Sequence, residues 1–98
     1  VLESAVFRGP EDLEGEFYLR FEAVDRPGVL AHLSGALGDR GIGIASLLQV
    51  EQGQSEAVPV VIMTHPAAEA ALLDALREIA EIGELRSTPQ VIRVEREL

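Results

Sequence analysis

Phe17-Tyr18-Leu19-Arg20-Phe21-Glu22-Ala23-Val24, followed at once by Asp25-Arg26-Pro27-Gly28-Val29-Leu30, decides how this chain folds. The first run alternates, with Phe17, Leu19, Phe21 and Ala23 on one side, the period of a strand laid against a core. After it the period changes. Val29, Leu30, Leu33, Ala36 and Leu37 recur at helical spacing, which predicts a helix over 27–40 that ends at Gly41. Between strand and helix, Pro27 and Gly28 form a tight corner. Pro27 sits where a helix has no use for its missing N–H, and Gly28 lets another group approach the backbone. The N–H groups of Gly28, Val29 and Leu30 would then point outward at the positive end of the helix dipole, a seat for a carboxylate. Asp25 beside them offers a partner for an ammonium group. Together they suit the two charges of a free amino acid, although the same residues also read as a plain helix start.

Outward from this corner the punctuation is regular. Strand 1 is predicted over 16–24, strand 2 over 42–51 and strand 3 over 56–65, with Gln52-Gly53-Gln54-Ser55 as the hairpin turn between the last two. A second helix is predicted over 66–82, with Leu72, Leu76, Ile79 and Ala80 on one stripe and Gly83 as its stop. After Ser87-Thr88-Pro89 comes strand 4, over 91–95. The order β-α-β-β-α-β implies an α+β, ferredoxin-like fold, a four-stranded antiparallel sheet with two helices on one face. The folded unit is expected over 16–98. Residues 1–15 read as an N-terminal tail, of which 8–15 form a breaker-rich linker; with Val1 in place of Met, this points to a piece of a larger polypeptide.

One property of the sheet points beyond a monomer. Strand 3 places Val58, Val60 and Ile62 on one face and Ala57, Pro59, Val61 and Met63 on the other. Strand 2 sets Ile42, Ile44, Leu48 and Val50 against Ala45 and Leu47. A sheet apolar on both faces needs a second cover, and self-association supplies one.

Composition narrows the function classes. The chain has 98 residues, 47% of them hydrophobic, which is one small domain with a single core. Eight basic against 17 acidic residues give a net charge of −9, which repels nucleic acid and anionic membranes. The absence of cysteine rules out disulfides and thiol chemistry and fits a cytoplasmic setting. No H-x-x-H or carboxylate–histidine spacing supports a metal site, and no nucleophile–base set, phosphate loop or dinucleotide fingerprint is present. No catalytic activity is expected of this chain alone.

The motifs Asp25-Arg26-Pro27-Gly28-Val29-Leu30 and Gly41-Ile42-Gly43-Ile44-Ala45-Ser46 resemble those of the ACT domain family, over about residues 16–96. ACT domains are small-molecule-binding regulatory modules of amino-acid metabolism. A narrower likeness lies in Leu48-Gln49, Val58-Pro59-Val60-Val61-Ile62-Met63-Thr64-His65, the alanine-rich second helix and Val91-Ile92-Arg93-Val94-Glu95. These are similar to the C-terminal domain of homoserine dehydrogenases. The resemblance implies side-by-side pairing of protomers into an eight-stranded sheet. It implies an effector site built from Asp25, Arg26, Pro27, Gly28, Val29 and Leu30 of one chain and Gly43, Ile44, Ala45 and Ser46 of its neighbour. L-threonine is the implied effector, and a catalytic domain using NAD(P) the implied partner, with no cofactor in this domain. The chain departs from many such loops in carrying Asp25-Arg26 where they have Asn or His before the Pro-Gly. A purely structural dimerisation module is the competing reading, as is an ACT domain of another amino-acid enzyme or of a stringent-response synthetase.

Other positions can be read from their place in the pattern. His32 falls one turn into the first helix, beside the loop or simply solvated. His65 reads as support for the start of the second helix. Gly35 and Gly38 weaken the first helix unless another element approaches there. Glu81 with Glu84, and Glu95 with Glu97, read as solvated acidic faces.

Overall fold

The alternation at Phe17, Leu19, Phe21 and Ala23 becomes the spine of the molecule, strand β1 (Glu14–Val24), in a computed structural model that describes residues 14–50 and 57–94. All four side chains are buried. The remaining elements are α1 (Val29–Gly38), β2 (Ile44–Gln49), β3 (Ala57–Thr64), β4 (Ala67–Ala68), α2 (Glu69–Ile82) and β5 (Gln90–Val94). The main strands lie in the order β2-β3-β1-β5, all antiparallel to their neighbours. This is the expected ferredoxin-like arrangement with β1 and β3 at its centre. One face of the sheet is covered by α1 through Val29, Leu33, Ala36 and Leu37, and by α2 through Leu72, Ala75 and Ile79. Each large aliphatic side chain fully buried there contributes about 1.5–3 kcal/mol. Arg40 fastens the helices together at one end, bonding the Ala36 carbonyl of α1 and the Glu78 carboxylate of α2.

Several expectations shift. Helix α1 begins at Val29, not at 27, because Gly28 is left-handed at φ 91 and cannot be a helical residue. Pro27 therefore belongs to the turn before the helix. Helix α2 begins at Glu69, not at 66, because Ala67 and Ala68 are extended and pair with Gly15 and Glu14 as the short fifth strand β4. That pairing also starts β1 at Glu14, two residues early. On α2, Ala75 takes the stripe position predicted for Ala80, which is exposed. Gly83, at φ 79, stops α2 as expected. By contrast, α1 ends at Gly38 with Asp39 as its C-cap, and the left-handed Gly41, at φ 74, turns the chain three residues beyond the helix and not at its end.

Strand β2 departs from the prediction in its faces and in its length. A register shift between Ile44 and Ser46 interrupts its pairing with β3 and exchanges the faces beyond it. Ile44 and Leu47 consequently lie on the helix side, opposite Thr64 and Ile62, while Leu48 pairs with Val61 on the open side. This corrects the expectation that Ile44 and Leu48 share a face. At its other end, Val50 donates to the Pro59 carbonyl at 3.0 Å, but Pro59 has no N–H to return the bond. The ladder stops there. The open face still carries apolar side chains, with Leu48 59% and Ile92 56% exposed. The expected hairpin turn 52–55, the tail 1–13, and Glu95 and Glu97 lie outside the described residues. No helix among the described residues is long and apolar enough to cross a membrane.

Candidate functional site

The strand-to-helix corner opens into a cavity of about 350 Å³. Every residue from Val24 to Leu30 lines it, joined by Ala23, Gln49, Val58 and Val60. The walls are aliphatic and the rim is the polar backbone of the corner, the usual division of labour in a small-molecule site. Its local construction follows from Gly28. The left-handed turn there makes Gly28 the N-cap of α1 with no side chain to satisfy the first amides, and His32 begins the helical ladder by donating to the Gly28 carbonyl at 3.0 Å. The Val29 N–H is used internally, donating to the Arg26 carbonyl at 3.3 Å. The N–H groups of Gly28 and Leu30 donate to no described residue. Two of the three amides expected to face a ligand are therefore available, and Val29 is not. Asp25 is exposed at the corner and makes no ion pair or hydrogen bond with a described residue.

The second half of the expected site lies elsewhere in the same chain. Ile44 is opposite Thr64 at one end of β3, whereas Val24 is opposite Ala57 at the other. Seven residues of strand separate them, roughly 23 Å. Gly43, Ile44, Ala45 and Ser46 thus do not meet the loop within one chain. From β2 it is Gln49 that reaches the cavity. Gln49, Val58 and Val60 were not singled out in the sequence, because the register shift that turns Gln49 inward has no signature in Ile44-Ala45-Ser46-Leu47-Leu48.

Of the two histidines, His32 takes its position beside the loop, and His65 departs from its sequence reading. His32 Nδ1 lies 2.7 Å from Oε1 of Glu84, so it is tethered beside the loop. Glu84, expected on a solvated face, is only 9% exposed and also lies 3.9 Å from the Arg26 guanidinium. His65 supplies no cap to α2, whose N-cap Ala68 has no side-chain bond. Its ring lies over Gly43 instead, where an added Cβ would come within 3.0 Å of Cδ2, and its N–H donates to the Gly43 carbonyl at 2.9 Å. Nothing described lies within 4 Å of a side chain added at Gly35 or Gly38. Just before His65, Thr64 is buried and its Oγ1 accepts the Phe17 N–H at 3.0 Å, replacing a ladder bond where β3 leaves β1.

The model of the ACT domain matches residues 17–84, which takes in the cavity, both helices and Glu84. A homoserine dehydrogenase of Synechocystis sp. is 38% identical over 86 residues, 86% of this chain and 19% of its own. The crystal structure of a homoserine dehydrogenase from Thiobacillus denitrificans superposes with a TM-score of 0.77 at 30% identity, over 88% of this chain and 19% of that one. The ACT domain of a GTP pyrophosphokinase from Chlorobium tepidum, at 10% identity, shares the fold with a TM-score of 0.63, over 82% of this chain and all of its own. The chain spans about a fifth of the length of the homoserine dehydrogenases it matches.

Proposed function

This chain belongs to the ACT domain family, and from that membership we propose that it binds a free amino acid at the residue 25–30 corner and reports occupancy to an attached homoserine dehydrogenase domain. The observation that carries the reading is the cavity itself. Every residue of one short loop lines it, and two of that loop's amides and an acidic side chain are unengaged by described residues. Amides at a helix N-terminus receive the ligand carboxylate, and Asp25 receives its ammonium. The aliphatic walls take a small side chain, and among the described residues of the sheet Gln49 is the polar one that lines it. L-threonine, small and bearing one hydroxyl, is the effector this site suits.

The expected contribution of a second copy is compatible with the topology. β2 is an edge strand. Antiparallel pairing of two β2 edges about a twofold axis sets the Ile44 end of one against the Gln49 end of the other. Gly43, Ile44, Ala45 and Ser46 of a second copy would then stand beside the loop. In that assembly a ligand spans two chains, so binding favours one arrangement of the pair. Feedback control of a joined NAD(P)-dependent catalytic domain needs only such differential affinity.

Titration calorimetry of the chain with a panel of amino acids tests the reading. L-threonine should bind, and Asp25→Asn should weaken it by about 1–3 kcal/mol through loss of a charge-assisted bond. Absence of heat with every amino acid would sink it. In that event the exposed Leu48 and Ile92 and the free β2 edge favour a module that only joins protomers.

A further inference from the structure

Glu84 stands out among the polar residues as buried, charged and outside the loop. It follows Gly83, whose left-handed conformation ends α2 and turns the chain back toward the sheet. Its backbone is held by β1, not by the loop. The Glu84 carbonyl accepts the Val24 N–H at 2.8 Å, Leu85 bridges Ala23, and Arg86 donates to the Glu22 carbonyl at 2.7 Å. A carboxylate fixed in this way is an external reference point for whatever it touches.

It touches both sides of the corner. Oε1 meets His32 Nδ1 at 2.7 Å, and Oε2 faces Arg26 at 3.9 Å. The His32 contact is the stronger by distance; the Arg26 guanidinium is largely exposed and its pairing is weak on its own. His32 in turn donates its backbone N–H to the Gly28 carbonyl. A chain of bonds therefore runs from the β1 end through Glu84 and His32 to Gly28, which lines the cavity. The Arg26 contact has a separate effect. It holds the cation next to Asp25 in sequence toward Glu84, leaving the Asp25 carboxylate open to an incoming ammonium.

We propose that Glu84 is a positioning residue for the amino-acid site, holding the 25–30 corner in its ligand-ready shape through His32 and Arg26 without itself touching the ligand. The proposal rests on the binding reading given above and goes beyond it by assigning a residue of the α2–β5 connection to recognition. Because His32 and Arg26 are each more than half exposed, stripping Glu84 leaves them to water and not as buried orphans. Loss of the contact should accordingly fall on the loop more than on the fold.

The test compares wild type, Glu84→Ala and Glu84→Gln in the full chain, measuring L-threonine affinity by calorimetry and amide hydrogen exchange residue by residue. Glu84→Ala should weaken affinity by about tenfold or more, the equivalent of one charge-assisted hydrogen bond. Exchange should accelerate at residues 25–32 and stay unchanged at Leu19, Phe21 and Ile62. Glu84→Gln keeps an oxygen for His32 without the charge and should recover part of the affinity. Unchanged affinity in a folded Glu84→Ala protein overturns the proposal while leaving the binding site standing. Faster exchange throughout β1 and β3, with no recovery by Gln, also overturns it, since that is the signature of a general stability role. A wild-type chain that binds no L-threonine overturns the binding reading and the positioning role with it.

Discussion

Substitution of Gly28 separates the backbone demands of the corner from its chemistry. At φ 91 the residue is left-handed, and an L side chain there costs about 1–2 kcal/mol. No described atom lies within 4 Å of an added Cβ, so steric clash adds nothing and the cost is conformational. For a domain of this size one kcal/mol moves the melting midpoint by about 4–8 °C, which places Gly28→Ala about 4–16 °C below wild type. Gly28→Asn should lose less, because Asn visits this region more readily, and Gly28→Val more, because branching at Cβ aggravates the strain. Gly35→Ala is the matched control. It lies within α1, also with open space around it, and should gain about 0.5–1 kcal/mol. Thermal melts by circular dichroism read all four variants. Calorimetry below the lowest midpoint then reads binding, where Gly28→Val should be weakest because its side chain stands at the amides. A Gly28→Ala protein that melts at or above wild type would show that the left-handed corner is not what solution demands. A folded Gly28→Val protein that binds L-threonine normally would remove the corner as the effector seat.

Two further outcomes follow from the sheet. Thr64→Val removes the oxygen that accepts the buried Phe17 N–H and should cost about 1–3 kcal/mol in urea unfolding, whereas Thr64→Ser should retain most of the stability; equal midpoints for Val and wild type contradict this. Leu48→Lys, at a position 59% exposed in one chain, should change the stability of a lone chain by no more than about 0.5 kcal/mol. In sedimentation at micromolar concentration it should nonetheless shift a wild-type dimer or larger assembly toward monomer, and a monomeric wild type refutes the expectation of self-association.

What could be read in the sequence follows the range of the interactions involved. The core faces of β1, β3 and α1 were legible because Phe17, Leu19, Phe21, Ile62 and Leu33 repeat at the period of their own element. The Asp25-Arg26-Pro27-Gly28 corner was legible because turn chemistry is local. The start of α2 was not, since Ala67 and Ala68 are good helix formers that become a strand only because Glu14 and Gly15 lie beside them. The faces of β2 were not either, because the register shift at Ala45 depends on how β3 is matched from both sides. Glu84 was misread for the same reason. Its sequence neighbours Glu81 and Gly83 suggest a solvated helix end, while its partners Arg26 and His32 are more than fifty residues away in the chain. The loop residues Asp25 to Leu30 that line the cavity were named as site candidates from local sequence alone, whereas Gln49, Val58 and Val60, which reach it from two other strands, were not.

The edge strand β5 has a consequence for how far such sheets can grow. Any open sheet has two edges, and an uncharged one such as Ile44-Ala45-Ser46-Leu47-Leu48-Gln49 invites strand after strand to add. Pairing through β2 consumes that edge once. Among the described residues the opposite edge is β5, because β4 continues the β3 side of β1 at Glu14 and Gly15 while β5 pairs residues 16–20 on the other side. There Arg93 bonds the Glu14 carbonyl at 2.8 Å and the Glu69 carboxylate at 3.2 Å. A five-residue edge strand with a charged side chain is a poor template for a newcomer. Lateral growth should therefore favour a single pairing through β2 over continued addition at the far edge.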